Sequence, residues 1–490
     1  MRRSGVLLPI FSLPSKQGIG AFSKEAYDFV DFLEKAGQKL WQLLPLSPTS
    51  FGDSPYQSFS AFAGNPYFID LYELEKKGWL TKSDIEGADL GSSQTSIDYE
   101  KIYFNMYPLF RKAYEKSDIK NDSNFVAFCK ENSDWLDDYA LFMAVKNDFG
   151  GRSYLEWDDD IRTRQPKALE KYLKKDAAEV EFYKFLQYEF DLEWKALKKY
   201  ANDKGIEIVG DIPIYVSPDS ADVWANPQYF QLDSKGFPID VAGCPPDCFS
   251  ATGQLWGNPL YEWEVHEKEN YEWWIKRIAH CFKLYDIVRI DHFRGFESFY
   301  CIPYGKETAE IGEWRKGPGM KLFNAIKKTL GDIPIIAEDL GLITEPVREL
   351  LKESGYPGMK VMEFAFDSRE PSNYLPYNYD KNCIVYTGTH DNSTLAGWIK
   401  TVNKDDIKFA KKYLQVKFTC KLREAIIRAC MNSVADTCII PLQDYLGIDD
   451  SGRINEPSTV GKNWKWRMKP QDMNDKLAAY MSDMVKLYNR

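Results

Sequence analysis

A (β/α)₈ barrel of the TIM type is the fold this sequence predicts, and three observations lead to it. Eight short apolar runs are spaced along the chain, most of them followed by a loop and an amphipathic segment, which is the alternation of a parallel sheet covered by helices. Carboxylates stand at the ends of three of these runs, in Arg289-Ile290-Asp291-His292, Ile336-Ala337-Glu338-Asp339-Leu340 and Thr389-His390-Asp391-Asn392. The chain has 490 residues, enough for a large core and too many for one simple domain, which by length alone fits an enlarged barrel or two to three modules.

In chain order the candidate strands are 5–8, 39–44, 207–211, 286–291, 333–338, 359–363, 382–387 and 436–440. Between the first two, segment 23–36 places Ala26, Phe29, Val30 and Leu33 on one helical face, with Ser23 positioned as its N-cap. The gap between the second and third runs far exceeds a barrel repeat. Its residues 72–200 are rich in Lys, Glu, Asp, Trp and Tyr, and Phe182, Phe185, Leu186, Glu189 and Phe190 recur at helical spacing, which predicts a mostly helical insertion. After the third run, 217–264 is rich in Gly, Pro and Asn and reads as a loop subdomain over the barrel mouth. Segment 372–379 also reads as loop, so the sixth unit has no evident helix, and 472–490 ends the chain in a helical pattern. The catalytic barrel is expected to span 1–490.

Composition excludes several function classes. The net charge of -10, without a basic run, argues against a nucleic-acid or anionic-membrane surface. No apolar stretch is long enough to span a bilayer. The start Met1-Arg2-Arg3 followed by Gly5-Val6-Leu7-Leu8 mimics a signal peptide, but Pro9 and Pro14 break the run and no small-residue cleavage pattern follows. A soluble, cytoplasmic protein is expected. Nine cysteines in so long a chain make no disulfide framework, and Cys244 and Cys248 have no answering pair at zinc spacing, so reduced thiols are expected. Aromatic residues reach 15 %, which fits either core packing or platforms for the apolar faces of sugar rings.

Arg289 and Asp291 are two apart on a strand and share a face, here the barrel interior. The guanidinium is expected to keep that carboxylate ionised, as a nucleophile requires. A buried ion pair that merely closes the barrel fits the same spacing. Glu338 ends the next strand; apolar walls and neighbouring carboxylates would raise its pKa and suit it to donate a proton. Asp339 must then face away. His390 and Asp391 follow the turn Thr387-Gly388-Thr389 at a strand end, where barrel enzymes build their sites. His390 has no HxH or HExxH spacing, so hydrogen bonding to substrate hydroxyls fits it better than metal ligation. Phosphate-loop, dinucleotide and GxSxG patterns are absent, which leaves glycoside chemistry.

The chain resembles the 4-alpha-glucanotransferases of the amylomaltase or disproportionating type, relatives of the alpha-amylase clan. The resemblance rests on Ser54-Pro55-Tyr56-Gln57, Gly210-Asp211-Ile212-Pro213-Ile214-Tyr215-Val216, Phe249-Ser250-Ala251-Thr252-Gly253-Gln254-Leu255-Trp256-Gly257-Asn258-Pro259 and the three acidic motifs. It implies Asp291 as nucleophile, Glu338 as general acid/base and Asp391 as transition-state stabiliser. It implies Arg289, His292 and His390 in the sugar-binding shell, Asp211 near the site, and Tyr56, Trp256 and Asn258 against the glucan. It also implies a barrel without a separate C-terminal β-domain, no metal or organic cofactor, and α-1,4-glucans and maltooligosaccharides as partners. An α-1,4-glucan hydrolase with the same triad is the alternative; monomer and homo-oligomer are not distinguished. Two departures stand out: Cys244 and Cys248 where the family has other residues, and Ser458 where Gly is usual.

Overall fold

The computed structural model describes residues 2–246, 250–341 and 343–490. Twelve strands are present among them: β1 (Arg3–Leu7), β2 (Leu40–Gln42), β3 (Glu207–Ile212), β4 (Asp240–Cys244), β5 (Gln254–Pro259), β6 (Ile287–Ile290), β7 (Ser298–Pro303), β8 (Glu313–Lys316), β9 (Ile335–Ala337), β10 (Gly358–Val361), β11 (Cys383–Tyr386) and β12 (Thr437–Pro441). Eight of these pair in parallel in the order β10-β11-β12-β1-β2-β3-β6-β9. All eight strands expected from the sequence are therefore strands of one sheet.

The ends of that sheet meet. Ala337 N–H on β9 donates to Pro357 O at 3.0 Å, and the Asp339 carboxylate accepts Met359 N–H at 2.6 Å. Asp339 thus faces away from the interior and ties β9 to β10. Gly358 makes room for it, because a Cβ there would lie 2.8 Å from both Asp339 oxygens.

The interior is filled from every strand: Leu7, Leu40, Val209, Ile287, Ile336, Met359, Val361, Ile384, Tyr386 and Ile439 form one buried cluster. Branched residues from successive parallel strands fill a barrel in this layered way. The larger cluster lies outside, between sheet and helices. There the helix Lys24–Lys35 buries Ala26, Phe29, Val30, Phe32 and Leu33. Ser23 stands at its N-cap, but its hydroxyl donates to the Glu25 carboxylate at 2.6 Å and caps no backbone N–H, contrary to expectation. The bond to this first-turn acid turns the hydroxyl oxygen away from the backbone N–H groups it would accept.

Between β2 and β3 the chain is mostly helical, and the longest helix, Ala177–Asp203, buries Phe182, Phe185, Leu186, Phe190, Trp194 and Leu197. Glu189 on the same helix is buried and paired with Lys77. Between β10 and β11 only 3₁₀ turns occur, at Met362–Ala365 and Pro376–Asn378, as the loop-like sequence there implies.

The stretch 217–264 departs from its reading as loop. It contributes β4 and β5 to a second, antiparallel sheet ordered β5-β4-β7-β8. On one side β4 pairs with the nearby β5, and on the other with β7, more than fifty residues away. Among the described residues no helix is long and apolar enough to cross a membrane.

Candidate active site

The parity of the strands delivers the polar side chains to one place. Val209 on β3, Ile287 on β6 and Ile336 on β9 point into the barrel, and side chains two residues further on point the same way. Those are Asp211, Arg289 and Glu338, with Asp291 two beyond Arg289. The apolar layer is thus the floor and the charged layer lies directly above it, at the C-terminal ends of the strands.

Arg289 is the hinge of this layer. It is 2 % exposed, and its Nη1 donates to both oxygens of Asp211 at 2.7 Å while Nη2 reaches Asp291 Oδ1 at 2.9 Å. Asp211 also accepts the Tyr56 hydroxyl at 2.8 Å, and the same hydroxyl lies 3.0 Å from His390 Nε2. Tyr56 has one proton to give and Asp211 takes it, so His390 must carry its hydrogen on Nε2 and donate. The Tyr56 and His390 rings stack, with centroids 5.3 Å apart.

Glu338 is 9 % exposed and accepts His292 N–H and Leu340 N–H, each at 2.7 Å. His292 adopts a left-handed φ of 54°, at the turn of the chain over the end of β6, whereas the Leu340 bond is local to the end of β9. Burial pushes the Glu338 carboxyl up to about 8, with the nearby Asp291 adding to the rise against Arg289 and the two N–H groups. Asp291 stays the more acidic of the two, as expected, but Arg289 does not bring its pKa down: burial raises it to about 6. Arg289 divides its charge between two carboxylates, and Asp211 and Asp391 oppose it. The Asp291 side chain keeps 30 % exposure, so cleft water moderates the rise and Asp291 stays below Glu338. Near pH 7 Asp291 is the ionised member and Glu338 the protonated one.

Asp391 faces them from the turn after β11. Its Oδ1 accepts Asn455 Nδ2 at 2.6 Å and its Oδ2 lies 3.3 Å from His390 Nε2. Trp256 on β5 sets its ring edgewise to His292 at 4.8 Å, while burial with Arg294 lowers the His292 imidazole to about 3 and keeps it neutral. Asn258 is 4 % exposed; it donates to Val216 O at 2.7 Å and accepts from Gln57 at 3.2 Å, so its amide fastens two loops of the cleft wall. Beside Trp256 and Gln57 opens a cavity of about 1210 Å³, lined further by Tyr67, Tyr99, Tyr103 and Phe104. Among the described residues no group of three or more His, Cys, Asp or Glu converges as a metal site would. Phe249 and the Cys248 half of the Cys244/Cys248 pair lie outside the described residues.

The family model of glycoside hydrolase family 77, described as 4-alpha-glucanotransferase, matches residues 8–474. The chain belongs to this family. It is 50 % identical to the 4-alpha-glucanotransferase of Clostridium butyricum over 98 % of this chain and 99 % of that one. It is 44 % identical to the 4-alpha-glucanotransferase of Thermus thermophilus over 100 % and 99 %. The amylomaltase from Streptococcus agalactiae in complex with acarbose superposes with a TM-score of 0.97 at 43 % identity, over 100 % of both chains. Membership in a 4-alpha-glucanotransferase family favours transfer over hydrolysis as the reaction class and agrees with the resemblance read from the sequence.

The structure adds residues that motif reading passed over. Asn455 and Arg453 contact Asp391, and Trp464 lies 5.8 Å from the Tyr56 ring. They come from a rim segment that follows β12 and has no spacing signature; within it only Ser458, in the run Asn455-Glu456-Pro457-Ser458-Thr459, stands out in the sequence. In that run Ser458 has φ 64°, the left-handed conformation that suits the glycine usual at this place.

Proposed function

We propose that the protein moves α-1,4-glucan segments from a donor to the 4-hydroxyl of glucose or another glucan, by two displacements at C1. The observation that carries this reading is the carboxylate pair on adjacent strands β6 and β9, with the more basic member, Glu338, buried and neutral beside an ionised Asp291. Asp291 attacks C1 while Glu338 protonates the departing glycosidic oxygen. The leaving glucan departs and a β-glucosyl ester of Asp291 remains. Glu338, now ionised, takes the proton of the acceptor 4-hydroxyl as that oxygen attacks C1, and the ester opens to give an α-1,4 bond. Two inversions give retention, and the two carboxyl groups are expected about 5–5.5 Å apart for this mechanism.

Asp391 and His390 grip hydroxyls of the reacting sugar, bonds that strengthen as the ring flattens toward an oxocarbenium ion. Tyr56 offers its ring as floor to that sugar. Trp256 and the aromatic cavity beyond it suit α-1,4-glucans and maltooligosaccharides, whose ring faces stack on such side chains. Acceptor sugar must outcompete water for the ester, and these surfaces favour it. Maltotriose alone tests the reading: longer maltooligosaccharides plus glucose are expected, whereas glucose and maltose alone would make the enzyme a hydrolase.

The pH dependence follows from the same pair. Catalysis needs Asp291 without its proton and Glu338 with its own. The profile of kcat/KM is therefore expected to be bell-shaped, falling below about 6 as Asp291 is protonated and above about 8 as Glu338 loses its proton. Because the two groups interact, the limbs report the pair. Substituting Glu338 by Gln should remove the alkaline limb of whatever activity remains, and an unchanged alkaline limb would assign it to another group.

A further inference from the structure

The rim segment after β12 is bound into the turn that carries Asp391. Arg453 donates Nη2 to Asp391 O at 2.8 Å and Nε to Asn455 O at 2.8 Å, and its Nη1 lies 3.4 Å from Ser393 Oγ. Asn455 completes the join. Its backbone N–H donates to His390 O at 3.0 Å, and its side-chain Nδ2 donates to Asp391 Oδ1 at 2.6 Å. The segment is itself anchored: Ile454 is 2 % exposed and its carbonyl accepts Trp464 N–H at 2.7 Å.

The two Asp391 oxygens are therefore unlike. Oδ1 is occupied by Asn455, whereas Oδ2, among the described residues, has His390 at 3.3 Å, on a side chain 42 % exposed to the cleft. The chemistry of the partner is also selective. Arg453 spends its guanidinium on carbonyl and hydroxyl oxygens, so no cation neutralises Asp391 from this side. A neutral amide does the orienting and leaves the negative charge available where positive charge develops in the sugar. An exposed carboxylate without such a partner would rotate about its terminal bond and lose that alignment.

We infer that Asn455, held in place by Arg453, is a positioning residue that aims the Asp391 carboxylate at the reacting sugar by occupying its Oδ1. The inference rests on the ring-steadying role proposed for Asp391. Sequence proximity could not suggest it, since 64 residues separate the pair.

A double-mutant cycle tests it, with α-maltosyl fluoride as donor so that weak variants stay measurable. Asn455→Ala is expected to lower kcat about 10–100-fold, the loss of one hydrogen bond to a charged group, with KM moved less than about threefold. In the Asp391→Asn background the same change should cost less than about twofold, because the amide oxygen still accepts from Asn455 but the charge that Asn455 aims is gone. Arg453→Lys, which keeps the charge but not the fork, should show the same coupling, and it replaces Asn455→Ala if that variant does not fold. Equal losses in both backgrounds, or a loss in KM alone, would overturn the inference and make Asn455 an independent sugar contact. Should Asp391→Asn itself turn over like the parent, the role of Asp391 fails first and the inference with it.

Discussion

Asp291→Asn is expected to lower kcat on maltotriose by about 10⁴–10⁶-fold, the scale seen when a nucleophile is removed from a working constellation. The fold should survive the change. Asn has the same shape, the backbone N–H of residue 291 still reaches Ile212 O, and Arg289 retains both oxygens of Asp211 as partners. The guanidinium is thus not orphaned. Stability should even gain at neutral pH. The folded-state pKa of Asp291 is raised, so its contribution is most favourable when protonated and is lost as pH rises through about 6. Asn removes that penalty, and the melting temperature at pH 7 should be unchanged or higher. A slow fluorosugar donor gives the second measurement. In the parent enzyme the sugar should be found on the peptide containing Asp291, and in the variant on no peptide. A kcat within tenfold of the parent, or an adduct on another carboxylate, would remove Asp291 from the role.

Much of this arrangement was legible in the sequence, for a specific reason. Strands of a parallel barrel are buried on both faces, so they read as apolar runs, and 287–288 or 383–386 cannot easily be mistaken for loop. Period two then carries the reading from Ile287 to Arg289 and Asp291, and from Ile336 to Glu338, without any knowledge of the third dimension. Asp339, one residue out of phase, falls on the other side and binds Met359 N–H instead. Where contacts depended on distant partners the sequence was silent. β4 is held by β7, more than fifty residues on, and its residues lack the alternation that marks a half-buried strand. Asn455 reaches Asp391 only through the path of the rim. The ionisation order was legible, with Asp291 the more acidic member, but the rise at Asp291 was not, because the sharing of Arg289 with Asp211 and the depth of burial are properties of the assembled layer.

That same layer decides what removal of the proton carrier should do. Glu338→Ala is expected to lower turnover of maltooligosaccharides by about 10³–10⁴-fold, near the upper range for general acid–base catalysis. The two half-reactions should not suffer alike. Fluoride leaves C1 without needing a proton, so α-glucosyl fluoride should still form the ester of Asp291 in this variant. The ester then waits, because no base takes the proton from an incoming 4-hydroxyl. Azide needs no such base: its nitrogen bonds to C1, Asp291 leaves as a carboxylate, and the product is α-glucosyl azide with retained configuration. Added azide should therefore restore turnover of α-glucosyl fluoride in Glu338→Ala and leave the parent enzyme little changed. The truncated side chain vacates space beside His292 N–H and Leu340 N–H, donors that can hold a small anion there. The anomeric form of the product is the discriminating result. A β-azide would mean that azide had displaced fluoride directly, with no ester on Asp291, and absence of rescue would mean that Glu338 is not the group that handles the proton. Retention with rescue ties both carboxylates to one double displacement, which neither substitution establishes by loss of activity alone.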